Sequence, residues 1–342
     1  MSDLLTIEDL HLEFHTYDGV AKVLAGVNLT MQRGDVLGLV GETGCGKSMT
    51  ALAVSRLIPI PPGKITAGRV TFDGEDILAK SEHEMEAFRA QHLGMIFQDP
   101  TTNLNPLFTI REQLVDAVLY QQAHGQAVPG RWKGFMPSVR QMRQDAHARA
   151  VELMHLTGIP DGDQRIYDYP HQFSGGMRQR VLIAMALAGD PDLLIADEPT
   201  TALDVTIQAQ ILRLIRSLVK QLGLTVLLIT HNLGVVARTC ERVAVMYSGR
   251  VIEESGVREL FDNPKHPYTQ GLLQAVPRKE TGRGELVGIP GVIPNLIDAP
   301  QGCRFHPRCD HVMDICQQRV PAPIHTGDQH TTSCFLYEEE KA

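Results

Sequence analysis

The chain has 342 residues, 43% apolar and 21% charged, proportions that exclude a disordered or fibrous polymer and allow one large or two modest domains. Its 32 basic and 40 acidic residues leave a formal charge of -8, so no overall field draws it to nucleic acid or to an anionic membrane surface. No cationic start with an apolar core and cleavage site opens the chain, and no run of about 18 apolar residues would span a bilayer. Composition therefore predicts a cytoplasmic protein whose six cysteines stay reduced.

Apolar and polar residues alternate through Leu10, Leu12 and Phe14 and again through Val23, Val27 and Leu29. That pattern predicts a half-buried antiparallel hairpin turning at Asp18-Gly19. The continuous apolar run Val36–Val40 suits a strand covered on both faces. Met49–Leu57 reads as a helix stopped by Pro59, Pro61 and Pro62. Gly68–Leu78 reads as further edge strand, and Leu93–Phe97 as another buried strand. From Pro106 to about Pro170 helical spacing dominates, interrupted at Gly125, Pro129 and Gly134 and continuing through a polar stretch from Ser138 to Arg149. This is a helical insertion within an α/β domain.

Alternation then resumes with a helix over Gly176–Ala188, a strand over Leu193–Ala196, a helix over Thr206–Leu222 and a strand over Thr225–Thr230. An antiparallel pair follows, Arg242–Tyr247 and Arg250–Glu253, joined at Ser248-Gly249. Strands alternating with helices predict a mostly parallel sheet with ligand contacts at the carboxyl ends of its strands. Beyond about Asn263 prolines recur, and four of the six cysteines fall between 303 and 334. The expectation is a small loop-rich appendage, residues 257–342, held by something other than a large core.

The run Gly41-Glu42-Thr43-Gly44-Cys45-Gly46-Lys47-Ser48 matches G-x-x-x-x-G-K-[ST], with a strand before it and a helix after it. Glycines let successive backbone N–H groups turn inward around phosphate oxygens of a nucleotide. The helix that begins through Ser48 and Met49 adds its positive N-terminus. Lys47 is expected to reach the β- and γ-phosphates and the Ser48 hydroxyl to bind Mg²⁺, while Cys45 serves through its backbone. After the apolar residues of Leu193–Ala196 come two adjacent carboxylates. Asp197 suits Mg²⁺ binding through water, and Glu198 suits the polarisation of an attacking water.

Phe173-Ser174-Gly175-Gly176-Met177-Arg178-Gln179-Arg180 resembles the signature motif of ABC-type ATPases. Phe173 and Met177 stand for the usual Leu and Gln, and Gln179 is a candidate compensating polar group. Other family elements follow in order. Gln98 in Ile96-Phe97-Gln98-Asp99-Pro100 resembles the Q-loop, Thr201-Ala202-Leu203-Asp204 the D-loop, and His231 the switch histidine. Tyr17, in the early hairpin, resembles the aromatic that stacks on adenine. Taken singly, Gln98 reads as a solvated residue, His231 as a strand-end cap and Tyr17 as packing.

The resemblance covers Leu4 to about Gly256. It implies a P-loop NTPase of ABC type over residues 1–256: a mostly parallel core, an N-terminal antiparallel β subdomain and an inserted helical subdomain. It also implies head-to-tail association of two such domains, with Ser174, Gly175, Gly176 and Gln179 of one facing nucleotide on Lys47 of the other. Glu198 would orient water, Gln98 and Ser48 would contact Mg²⁺, and His231 would lie near the γ-phosphate.

The last cysteines are spaced Cys303-x5-Cys309-x6-Cys316-x17-Cys334. Structural zinc commonly uses C-x2–4-C pairs, which this region lacks. Wide spacing suits a [4Fe–4S] cluster, with zinc as the alternative, and His306 and His311 as loop supports or substitute ligands. Asn263–Thr269, Pro290–Leu296 and Gly302–Cys309 resemble the C-terminal extension of dipeptide and oligopeptide importer ATPases.

That resemblance implies two membrane-spanning permease subunits, a second homologous ATPase subunit forming a heterodimer, and a periplasmic peptide-binding protein. It implies a peripheral position on the cytoplasmic face of the inner membrane and no nucleic-acid partner. Two alternatives are a soluble ABC-type ATPase acting on ribosomes or DNA and a redox-sensing iron–sulfur ATPase. A single motif set and a charge of -8 disfavour the first; the need of a small Pro-rich segment for a staple disfavours the second.

Overall fold

The alternating N-terminal sequence forms a long hairpin in a computed structural model that describes residues 3–98, 103–124, 139–201, 203–276 and 288–338. The breaks expected at Gly125, Pro129 and Gly134 lie outside these residues, as do Ser138 and the motif residues Asp99, Pro100 and Ala202. The chain divides into two units, Met1–Leu78 with Leu228–Ala342, and Ala79–Leu227.

In the first unit β1 (Asp3–Thr16) pairs antiparallel with β2 (Gly19–Gln32). Thr16 stands opposite Gly19, so the tip is Tyr17-Asp18, one residue earlier than expected. β3 (Val36–Val40) is buried at every residue, as its apolar run requires. α1 spans Lys47–Val54, starting and ending before the expected bounds. β4 (Gly63–Phe72) and β5 (Glu75–Asp76) complete an antiparallel sheet of order β2-β1-β4-β5. β4 thus starts and ends earlier than expected, and it is an inner strand, not an edge. Its register with β1 shifts between Glu8 and His11. Gly68 (φ +97°) lies at this shift, where a Cβ would come within 2.4 Å of the Asp9 carbonyl oxygen.

The second unit begins with α2 (Glu82–His92), which no periodicity announced. Its signal is the capping box: Ser81 N–H donates to Glu84 Oε2 at 2.7 Å, and Glu84 N–H to Ser81 Oγ at 3.4 Å. β6 (Leu93–Ile96) follows, then the expected helical insertion as α3 (Ile110–His124), α4 (Val139–Leu156) and α5 (Gly162–Arg165). After it come α6 (Gly175–Ala186), β7 (Leu193–Asp197) and α7 (Val205–Leu222). β7 lies parallel to β6, from Leu93 opposite Leu193 to Ile96 opposite Ala196. Asp204 caps α7 by accepting from Ile207 N–H at 3.0 Å, and Gly223 (φ +65°) ends it.

The division falls within β8 (Thr225–Thr230), a strand buried throughout. The first unit resumes with α8 (Leu233–Thr239), β9 (Arg242–Tyr247), β10 (Arg250–Gly256), α9 (Val257–Asp262) and α10 (Pro267–Gln274). It ends with α11 (Asp314–Gln318), β11 (Ile324–Gly327) and β12 (His330–Thr332). β3 runs parallel to β9, Val40 opposite Val245, and within this unit the strand order is β11-β12-β10-β9-β3.

The C-terminal segment therefore does not rely on loops alone. β12 pairs with β10, Glu253 opposite Thr332. Tyr268, Leu273 and Phe305 share one buried cluster with Val40, Val236, Val245 and Tyr247. Phe305 stands edge-on to Tyr247 at 5.2 Å and to Tyr268 at 5.4 Å. Prolines forbid long elements here, but a few aromatic rings bury enough area to anchor the segment to the core.

Gly176 sets how closely α6 approaches α7, because a Cβ there would lie 2.6 Å from Ile207 Cγ2. Gly176→Ala is expected to destabilise the chain by about 1–3 kcal/mol through overpacking, read as a lower urea midpoint.

Candidate functional site

The phosphate loop leaves β3 at Gly41 (φ +154°), where a Cβ would lie 2.1 Å from the Met246 carbonyl oxygen of β9. Gly44 (φ +83°) and Gly46 (φ +110°) take left-handed conformations that glycine alone adopts without strain. Gly46 is the residue from which α1 starts. Thr43 and Gly44 are exposed at the crest, whereas Cys45, Gly46 and Lys47 are buried and Ser48 and Met49 half-buried. Lys47 Nζ donates to the Gly41 and Glu42 carbonyls at 2.8 and 3.0 Å. Burial pushes the Cys45 thiol up, so it stays protonated, a filler whose carbonyl accepts from Gly249 N–H at 2.7 Å.

Elsewhere in this unit His231 is exposed in the turn between β8 and α8. Asn232 Oδ1 caps α8 by accepting from Gly234 and Val235 N–H at 2.9 and 3.3 Å. Tyr17 is fully exposed at the hairpin tip, so its ring is presented and not used in packing.

The second unit brings Gln98 and Glu198 together. Gln98 Nε2 donates to Glu198 Oε2 at 3.0 Å, and Thr201 Oγ1 donates to the same oxygen at 2.8 Å. Glu198 has φ +47°, uncommon for a residue with a side chain. Asp197, at the end of β7, is 7% exposed.

Ser174 caps α6 by accepting from Met177 N–H at 3.3 Å, leaving Ser174 exposed at the helix start. Phe173 is buried under the Arg165 guanidinium, 5.6 Å from its ring, so the unusual signature residue acts as core. Gln179 departs from expectation: it is 1% exposed, and neither amide atom has a hydrogen-bond partner among the described residues. Burial on the inner face of α6 keeps those atoms from any surface where nucleotide would arrive.

Cys303, Cys309, Cys316 and Cys334 line a single cavity with His266, Phe305 and Met313. Burial pushes the thiols of Cys303 and Cys309 up, and that of Cys334 up to about 11. Among the described residues no three His, Cys, Asp or Glu are placed to hold one metal ion.

Sequence reasoning missed four residues that tie this segment to the phosphate loop. Glu253, 1% exposed, accepts from Lys265 N–H at 2.6 Å, His266 N–H at 2.9 Å and His330 Nε2 at 2.8 Å. This fixes the start of α10, so that the Tyr268 hydroxyl accepts from Glu42 N–H at 2.9 Å. Arg308 forks onto the Glu42 carboxylate at 2.8 and 3.2 Å. Arg304 donates to the Lys22 and Ser248 carbonyls. Two arginines within Gly302–Cys309 were the available signal, since a buried arginine demands acceptors; which acceptors is a matter of tertiary packing.

Phosphate loop, paired acids at a strand end and capped signature helix together define a P-loop nucleoside triphosphatase of ABC type. Residues 24–201 match the family model of the ABC transporter, and residues 252–316 that of the oligopeptide/dipeptide transporter, C-terminal region. A dipeptide transport ATP-binding protein of Bacillus subtilis is 42% identical over 99% of this chain and 96% of its own. An oligopeptide transport ATP-binding protein of Salmonella typhimurium is 44% identical over 98% and 95%. A dimeric ATP-binding cassette solved in a post-hydrolysis state with ADP and Pi is 28% identical, with TM-score 0.61, covering 74% of this chain and 99% of its own. The chain belongs to the ABC transporter family, as one of its ATP-binding, ATP-hydrolysing subunits.

His266 Nδ1 accepts from Tyr268 N–H at 3.1 Å, and burial drives this imidazole's pKa down to about 3 from an ordinary 6.5. The unfolded chain takes up that proton below about 6.5 while the folded chain resists it. Stability from this group is therefore complete above 6.5 and declines as pH falls toward 3. Urea midpoints measured from about pH 7.5 down to 4.5 should fall for the wild type, and His266→Asn, which keeps a capping oxygen, should flatten that slope.

Proposed function

We propose that this chain is the ATP-hydrolysing motor subunit of a bacterial importer of dipeptides or oligopeptides. One observation carries the reading: a single chain joins an ABC phosphate loop, with Lys47 buried at a helix start, to the C-terminal region of oligopeptide/dipeptide transporters. The names of relatives similar over nearly the whole chain support the substrate class.

ATP lies along Gly41–Ser48, with Lys47 exchanging the Gly41 and Glu42 carbonyls for β- and γ-phosphate oxygens. Backbone N–H groups and the start of α1 carry the rest of the negative charge. Ser48, Gln98 and, through water, Asp197 would hold Mg²⁺, which would supply positive charge to the phosphates. Glu198 orients the attacking water, its carboxylate fixed by Gln98 and Thr201. His231 contacts the γ-phosphate and Tyr17 stacks on adenine.

Ser174, Gly175 and Gly176 of a second homologous ATPase subunit close over the triphosphate with a helix N-terminus and backbone donors. ATP thereby favours the closed pair and hydrolysis releases it. The dimeric solved relative with ADP and Pi supports that arrangement. Among the described residues no helix is long and apolar enough to cross a membrane. The chain binds as a peripheral subunit to two membrane-spanning permease subunits on the cytoplasmic face of the inner membrane, and a periplasmic peptide-binding protein delivers substrate.

Cys303, Cys309, Cys316 and Cys334 are the residues suited to a [4Fe–4S] cluster. Four cysteines lining one cavity, without the closely spaced pairs usual for zinc, support this reading over a single zinc. Such a cluster supplies a staple for a segment poor in regular structure.

Glu198→Gln should still bind ATP while turnover falls at least ~10²-fold, the usual loss of a general base; full ATPase activity would remove Glu198 from this role. Anaerobically purified chain should contain about four irons with matching acid-labile sulfide, both lost in Cys309→Ser. Stoichiometric zinc without iron would overturn the cluster assignment.

A further inference from the structure

We propose that Arg308 is a positioning residue for the phosphate loop: it fixes Glu42 in the conformation that receives triphosphate, so that the cysteine-lined C-terminal segment sets nucleotide affinity. This rests on Gly41–Ser48 being the ATP site.

Every N–H of the Arg308 guanidinium has an acceptor. Nε donates to the Pro290 carbonyl at 2.9 Å. Nη1 donates to Glu42 Oε2 at 2.8 Å and to the Tyr247 hydroxyl at 3.4 Å. Nη2 donates to Glu42 Oε1 at 3.2 Å and to the Ile289 carbonyl at 3.2 Å. The side chain is 4% exposed, and its guanidinium carbon lies 5.8 Å from the Tyr247 ring centroid. A buried fork with all five donors used and a ring beside it has one orientation, and it transmits that orientation to the carboxylate it grips.

Glu42 is anchored at three points: its carboxylate by Arg308, its N–H by the Tyr268 hydroxyl at 2.9 Å, and its carbonyl by Lys47 at 3.0 Å. Lys47 must let go to reach phosphate. The other two anchors come from the C-terminal segment and do not compete with nucleotide. They hold the loop while its exposed crest, Thr43 and Gly44, meets the ligand. A loop already ordered loses less conformational entropy on binding. The same ion pair neutralises an acidic side chain that otherwise faces a triphosphate with like charge. Arg304 acts on the opposite flank through the Ser248 carbonyl, next to Gly249, whose N–H holds the Cys45 carbonyl at 2.7 Å.

The experiment measures Mg-ATP affinity per folded molecule, and ATPase KM against kcat, on the full chain purified anaerobically. Arg308→Gln should weaken ATP binding roughly tenfold, the scale of losing charged hydrogen bonds, with the change in KM and kcat within about twofold. Arg308→Lys, which keeps the charge but not the fork, should recover only part. Tyr268→Phe retains the buried ring and removes only the Glu42 N–H acceptor; it should weaken ATP binding by about two- to fivefold, and it tests the idea even if Arg308→Gln fails to fold. Lys47→Ala separates the two readings. Wild-type chain indifferent to ATP would overturn the ATP site itself. ATP binding lost in Lys47→Ala but unchanged in the folded Arg308 and Tyr268 variants would overturn the positioning role alone.

Discussion

The contact between Gly41 and the Met246 carbonyl is the constraint on which the phosphate loop depends. No side chain fits there, because a Cβ would stand 2.1 Å from a backbone oxygen. β3 therefore ends against β9, its parallel partner, and the chain must turn at once through Gly44 and Gly46 into α1. The left-handed glycines place the loop's N–H groups and the helix start together, the arrangement that binds phosphate. Just beyond the same end of β9, the turn to β10 holds the Cys45 carbonyl. One strand end and its turn thus support the loop at two points.

The C-terminal segment is built into this support. Its aromatic residues share a cluster with Val40 and Tyr247, the strand ends beneath the loop. A buried carboxylate, Glu253, organises the start of α10 by accepting two backbone N–H groups and the His330 ring. A buried acid with several donors is well compensated and becomes a rigid node. From that node the Tyr268 hydroxyl extends to Glu42, and from the neighbouring cysteine-rich turn Arg308 does the same. Segment and loop are thus joined by direct hydrogen bonds, although far apart in the chain.

In the second unit local geometry does comparable work. Glu198 follows β7 in a conformation that residues with side chains rarely adopt, and its carboxylate collects hydrogen bonds from Gln98 and Thr201. Strain of this kind persists where surrounding bonds over-determine it. Ser174 leaves the first turn of α6 open to solvent, while Phe173 and Gly176 turn inward to pack. The signature sequence therefore serves two faces: a polar helix start outward and a close helix contact inward.

Much of this was legible in residue order. Left-handed turns need glycine, a doubly covered strand needs unbroken apolar residues, and a capped helix needs Ser or Asp at its first position. Hence the loop at Gly41–Ser48, the strands Val36–Val40 and Leu193–Ala196, and the helix behind Ser174 were readable from local chemistry. The inner place of β4, the existence of α2 and the packing of the last eighty-odd residues were not, because strand order is a tertiary property and short elements carry little periodicity. That Gln179 points inward, that four cysteines surround one cavity, and that Arg308 finds Glu42 were decided by tertiary structure alone. A side chain's chemistry states what partner it requires; only the closing of distant segments onto one another determines which residue supplies it.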